Sequence, residues 1–105
     1  MEPLSRMTGA TVDVLTSLIG CGGATWGLRI VKDSLRPPGT VYPLLDRLER
    51  AGWVRSEWED DPARTGPRRR LYELTAGGAL AARAAVAAFA STERLRAARA
   101  AGAGA

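Results

Sequence analysis

The stretch from position 64 to 70 holds Arg64, Arg68, Arg69 and Arg70 and no acid. A guanidinium keeps its charge and donates in a planar fork that matches phosphate oxygens, so such a cluster suits a polyanion. Upstream, Thr40, Tyr42 and Arg47 surround a run of aliphatic residues. A short hydroxyl, a phenol and a guanidinium at that spacing can reach a phosphate or thymine methyl, a sugar, and the O6/N7 edge of a guanine. Bond-making chemistry has much less to work with. There is one cysteine, Cys21, and no histidine, and no nucleophile–base pair is apparent. The chain is therefore expected to be no enzyme, to need no cofactor, and to hold no metal, because a zinc site needs several Cys or His ligands. A disulfide framework within the chain is ruled out, and Cys21, set among glycines, reads as an inert loop thiol.

The formal net charge is +4, and its distribution says more than its size. Besides the cluster, residues 76 to 105 carry Arg83, Arg94, Arg96 and Arg99 against Glu93. Nucleic acid is the first partner such clusters suggest. The early acid Glu2 and the Arg83 interruption of the alanine-rich stretch predict neither an export signal nor a membrane span, and a cytoplasmic protein is expected.

The elements that must position these groups fit one domain with one modest core, as 105 residues allow. Residues 1–10 lack periodicity and read as a flexible lead-in. From Thr11, Val12, Leu15 and Ile19 have helical spacing, stopped by Gly20, Gly22 and Gly23. A second helix is predicted from Thr25, as its cap, to Leu35, with Leu28, Val31 and Leu35 as its apolar stripe and Pro37-Pro38-Gly39 as its end. The third has the clearest pattern, Val41, Leu44, Leu45 and Leu48, with Thr40 as N-cap, Pro43 in the first turn and Gly52 at the end. Its opposite face carries Tyr42, Asp46, Arg47, Glu49 and Arg50. Two strand-like runs, Trp53 to Glu59 and Arg69 to Leu74, flank a polar turn and predict a hairpin.

Thr75 then caps a last helix whose first turn Gly77 and Gly78 should weaken. It runs to about Ala100, about 24 residues and about 36 Å, longer than a small domain needs. Its large apolar residues, Leu80, Val86, Phe89 and Leu95, form no single clean stripe, and residues 101–105 are expected to fray. Three helices followed by a hairpin give a fold that is mainly α with a β-hairpin: a winged helix-turn-helix over residues 11–75, then a long C-terminal helix over 76–100.

The stretch Pro38-Gly39-Thr40-Val41-Tyr42-Pro43-Leu44-Leu45-Asp46-Arg47-Leu48-Glu49-Arg50-Ala51-Gly52 resembles the recognition-helix motif of PadR-family transcriptional regulators. Gly66-Pro67-Arg68-Arg69-Arg70-Leu71-Tyr72-Glu73-Leu74-Thr75 is similar to that family's wing strand, and Trp26-Gly27 stands where the family usually has Tyr-Gly. Departures are Trp26 for tyrosine, Leu71 for a frequent aromatic, and Gly78 in a start that lacks the usual acids. The resemblance spans roughly residues 11 to 78 and looks like the short branch with a single C-terminal helix. It implies a homodimer in which the last helix packs on its partner, binding a palindromic operator in double-stranded DNA, usually as a repressor.

On this reading Thr40, Tyr42 and Arg47 meet the major groove, and Arg64, Arg68 and Arg69 on the wing meet backbone or minor groove. Leu80, Val86 and Phe89 are assigned to dimerisation on helix length and resemblance, joined by Val12, Leu15 and Ile19. Local alternatives stay open: Thr40 as a cap alone, Arg47 in an ion pair with a nearby glutamate, the wing arginines as a solvated tip. Trp53 is expected in the core. Trp26 and Trp58 are open between structural roles and a pocket for an unidentified small-molecule effector. The alternative function is a winged helix that binds protein and not DNA.

Overall fold

The computed structural model describes residues 1–4 and 6–103. Seven elements follow in order: α1 (Gly9–Cys21), β1 (Thr25–Trp26), α2 (Gly27–Ser34), α3 (Pro38–Arg50), β2 (Val54–Trp58), β3 (Arg70–Leu74) and α4 (Ala76–Ala103). The strands form one antiparallel sheet in the order β1-β3-β2. The fold is a winged helix-turn-helix with a long last helix, as the element pattern predicts. No helix of the described residues is long and apolar enough to cross a membrane.

Helix α1 starts two residues before the apolar spacing marks, because Thr8 caps it: its hydroxyl accepts from the Thr11 amide at 3.2 Å. Gly22 ends it in the left-handed region, φ 67°. The predicted start of α2 is corrected. Thr25 is no cap; with Trp26 it forms β1, pairing with Tyr72 and Leu71 of β3. Threonine and tryptophan both favour strands, but a two-residue strand leaves no period to read.

The α2 stripe is corrected as well. Leu28 is 62% exposed and Leu35, beyond the helix end at φ 59°, is 89% exposed. Gly27, Ile30 and Ser34 are the buried residues of α2, since small residues there let it lie close to its neighbours.

Helix α3 buries Val41, Leu44, Leu45 and Leu48 as its stripe predicts. Its start lies earlier than expected: Pro37 is the N-cap and Pro38 the first helical residue. Thr40 is therefore not the cap, and its amide already donates to the Pro37 carbonyl at 2.9 Å. Pro43 is carried inside the helix, where the bond it cannot make falls to the exposed Gly39.

The core is one cluster built from Val14, Leu15 and Leu18 of α1, Ile30, the α3 stripe, and Val54 and Tyr72 of the sheet. Trp53 is in it as expected, 5% exposed, and its indole N–H donates to the Glu2 carbonyl at 2.6 Å. The Glu2 amide donates to the Ala51 carbonyl at 2.8 Å, and Met1 packs on Gly52, so the first residues strap the end of α3 to the wing root.

Thr75 caps α4 as predicted. Its hydroxyl accepts from the Gly78 amide at 2.9 Å and donates to the Gly52 carbonyl at 2.8 Å. The helix runs 28 residues, about 42 Å. Only its first half rests on the core, through Ala82 with Ala81, Ala85 and Val86 beside it. Every residue from Ser91 to Gly102 is exposed. Of the tail expected to fray, residues 101–103 are helical, while Gly104 and Ala105 lie outside the described residues.

Candidate nucleic-acid interface

The first turns of α3 stand at the surface because its buried stripe faces the other way. Tyr42 is 40% exposed there, with Thr40 half-buried and Arg47 exposed one turn on. The Tyr42 ring lies over Gly27, whose missing side chain makes the room: a Cβ there would sit 2.6 Å from the phenol oxygen and 2.7 Å from Cζ. That gives the Gly27 beside Trp26 a steric purpose. Among the described residues Arg47 has no carboxylate within salt-bridge distance. Asp46 instead pairs with Arg50, one turn further, at 3.1 Å.

The hairpin matches its predicted limits within a residue, in the register Val54↔Leu74, Ser56↔Tyr72, Trp58↔Arg70. Those pairs share one face, running from the buried Val54 and Tyr72 out to the exposed Trp58 and Arg70. Burial pushes the Tyr72 phenol above its ordinary pKa, and the Arg70 charge partly offsets that.

At the tip, Arg64 pairs with Glu59 at 3.3 Å and donates to the Pro67 carbonyl at 2.6 Å. Arg68 Nε donates to the Glu59 carbonyl at 3.2 Å. The Arg69 guanidinium lies 4.2 Å from the Trp26 ring centroid, and Arg70 lies 5.4 Å from that of Trp58. Each open tryptophan thus carries a wing arginine on its face. Trp26, Leu28, Tyr42, Arg68 and Arg69 line a groove of about 380 Å³ between α3 and the wing. The structure therefore brings Tyr42 together with Arg64, Arg68 and Arg69 along one groove.

The residues assigned to self-association fare differently. Leu15 is 0% exposed inside its own protomer and cannot reach a partner; this corrects its assignment. Val12, Ile19, Val86 and Phe89 are half-buried, and only Leu80 is open, 75% exposed. Helix α4 has two faces. One carries Ala82, Ala85 and Val86 against the core. The other, turned away, carries Leu80, Ala84, Ala87, Ser91, Leu95 and Ala98, all exposed. Their spacing of four, three, four, four and three keeps them on one side of a helix. Apolar residues on both sides explain why no single stripe is visible, and that spacing of small residues was the available signal for the outer one.

An α3 with an open N-terminal face, flanked by an arginine-bearing hairpin, defines a winged helix-turn-helix. Wild-type MarR from E. coli superposes with a TM-score of 0.61 at 29% identity, over 75% of this chain and 54% of that one. The chain thus spans about half the length of MarR. Sso10a-2, a DNA-binding protein from Sulfolobus solfataricus, gives 0.70 at 22% identity over 90% of each chain, a likeness of fold. BpsR of Bordetella bronchiseptica, whose DNA binding is regulated by 6-hydroxynicotinic acid, gives 0.59 at 28% identity over 89% of this chain and 64% of that one. No curated protein sequence matches significantly.

The profile of the transcriptional regulator PadR-like family matches residues 26–84, more than half of the sequence. The chain belongs to that family of transcriptional regulators. The match begins at Trp26-Gly27 and ends in the third turn of α4, so it is shifted from the 11-to-78 span of the motif resemblance.

Proposed function

We propose that this protein is a repressor that binds a palindromic operator as a homodimer. Tyr42, Thr40 and the unpaired Arg47 enter the major groove, while Arg64, Arg68 and Arg69 follow the backbone or minor groove. The observation that carries this reading is the exposed start of α3 beside the basic wing, joined by one groove. One module makes few base contacts; two set about 34 Å apart read successive major grooves, which is why a second copy is needed. The outer face of α4, from Leu80 to Ala98, supports a helix-to-helix contact with that copy.

Selection of bound duplexes from a random library tests the reading. A recovered palindrome is the expected outcome; no enrichment, with a protein partner captured by the same surface, would replace it with the protein-binding alternative. On the recovered duplex, log K against log salt is expected to fall with a slope of about −5 to −9, given about three to five phosphates per protomer. A slope near zero rules out backbone-dominated binding.

Gly27→Ala checks Tyr42 without touching it. The added methyl displaces the exposed ring, which can give way, so stability changes little while affinity for the selected duplex falls about tenfold or more. Unchanged affinity in both Gly27→Ala and Tyr42→Ala removes Tyr42 from the interface.

A further inference from the structure

Three side chains join the recognition helix to the wing. Ser56, in the middle of β2, donates to Glu49 Oε2 in the last turn of α3. Arg70, the first residue of β3, donates to the same Ser56 hydroxyl through Nε at 3.1 Å and Nη2 at 2.8 Å. Its Nη2 also lies 3.5 Å from Glu49 Oε1. The guanidinium is further held over the ring of Trp58, its cross-strand partner.

The backbone bonds of the β2–β3 ladder fix the wing to itself, not to α3. Buried Val54 and Tyr72 anchor it as far as the Ser56↔Tyr72 pair. At that level Glu49 is the α3 side chain that hydrogen-bonds to the wing.

We propose that Glu49 is a positioning residue: through Ser56 and Arg70 it sets the angle between α3 and the wing, and discrimination between DNA sequences depends on that angle. The proposal rests on the DNA-binding reading above. Two features favour it over a stabilising role. The pair is partly open to solvent, 42% and 32% by side chain, where ion pairs add little stability. A carboxylate beside a basic wing also repels phosphate, so it lowers bulk affinity unless it does something else.

The test is Glu49→Gln, which keeps the size and a partner for Ser56 but drops the charge facing Arg70. Affinity is measured for a duplex selected with the wild-type chain and for a scrambled duplex of equal length. The ratio of the two is expected to fall about tenfold, with affinity for the scrambled duplex unchanged or higher and Tm nearly constant. The double exchange Glu49→Arg with Arg70→Glu is expected to recover part of the ratio. Equal gains on both duplexes, with the ratio kept, overturn the proposal and reduce Glu49 to a charge that repels phosphate.

Residual dipolar couplings on the free protein separate this outcome from a failure of the DNA reading. They report the α3–wing angle directly, and the angle should shift or broaden in Glu49→Gln. Unaltered couplings overturn the clasp whether or not any duplex is selected.

Discussion

A chain ending at Ala90 is expected to keep its fold, sediment as a monomer, and lose about a hundredfold or more in affinity for a selected palindromic duplex. The core contributions of α4 come from Ala81, Ala82, Ala85 and Val86, all ahead of the cut, so the protomer retains them. What goes is the segment from Ser91 onward, every described residue of which is exposed through Gly102, including the 59% exposed Leu95. A helix that projects with one apolar side open gains its stability from whatever covers it. Linking two half-site readers turns the second binding event into an intramolecular one, and the cut removes that advantage. Sedimentation and a duplex titration on the same sample check both parts. A truncated chain that still dimerises moves the interface to α1 and the first half of α4. Leu95→Glu in the full chain tests the same face by a single charge.

Gly78→Ala is expected to cost about 3 kcal/mol or more, and to lower Tm by roughly 15 °C. The first turn of α4 lies against the backbone of Trp53: a Cβ on Gly78 would stand 2.7 Å from the Trp53 carbonyl carbon and 2.8 Å from its Cα. Backbone cannot step aside as a side chain can, and this strand root is also held by the Thr75 amide, which donates to the Trp53 carbonyl at 2.9 Å. The neighbouring glycine provides the control. At Gly77 the added methyl would meet only the flexible Met1 side chain, its sulfur at 3.4 Å and its Cε at 3.9 Å, so Gly77→Ala gains helix propensity and is expected to be neutral or to stabilise by up to about 1 kcal/mol. Thermal unfolding of the two variants side by side checks the contrast. Similar Tm values would mean the junction is looser than its geometry indicates.

These two glycines illustrate what sequence reasoning can and cannot reach. Side by side in a helix start, both read as weak formers, because propensity is local. That one of them marks a near-contact with a carbonyl 25 residues earlier is a tertiary fact. The α3 stripe was legible since four large aliphatics repeat at helical spacing and all are buried. The hairpin was legible because its strands are regular and its turn is rich in Asp, Pro and Gly.

On α2 the large aliphatics mislead. Its buried positions are a glycine, an isoleucine and a serine, so the larger Leu28 and Leu35 drew the stripe to the wrong side. Of the interface residues, the arginines and Tyr42 were visible from type and spacing. The Glu49–Ser56–Arg70 link was not, since its members are separated by up to 21 residues and each reads alone as an ordinary surface group.

The strap formed by the first residues has a practical use. Met1 and Glu2 are pinned where α3 ends, against Gly52 and Ala51. The start of that helix is 13 residues away, about 20 Å along its axis. A fluorophore or surface linker joined ahead of Met1 therefore sits at the far end of α3 from Thr40 and Tyr42. Molecules immobilised that way would present the opening turns of the helix outward, whereas a linker at the other terminus would load the free end of α4.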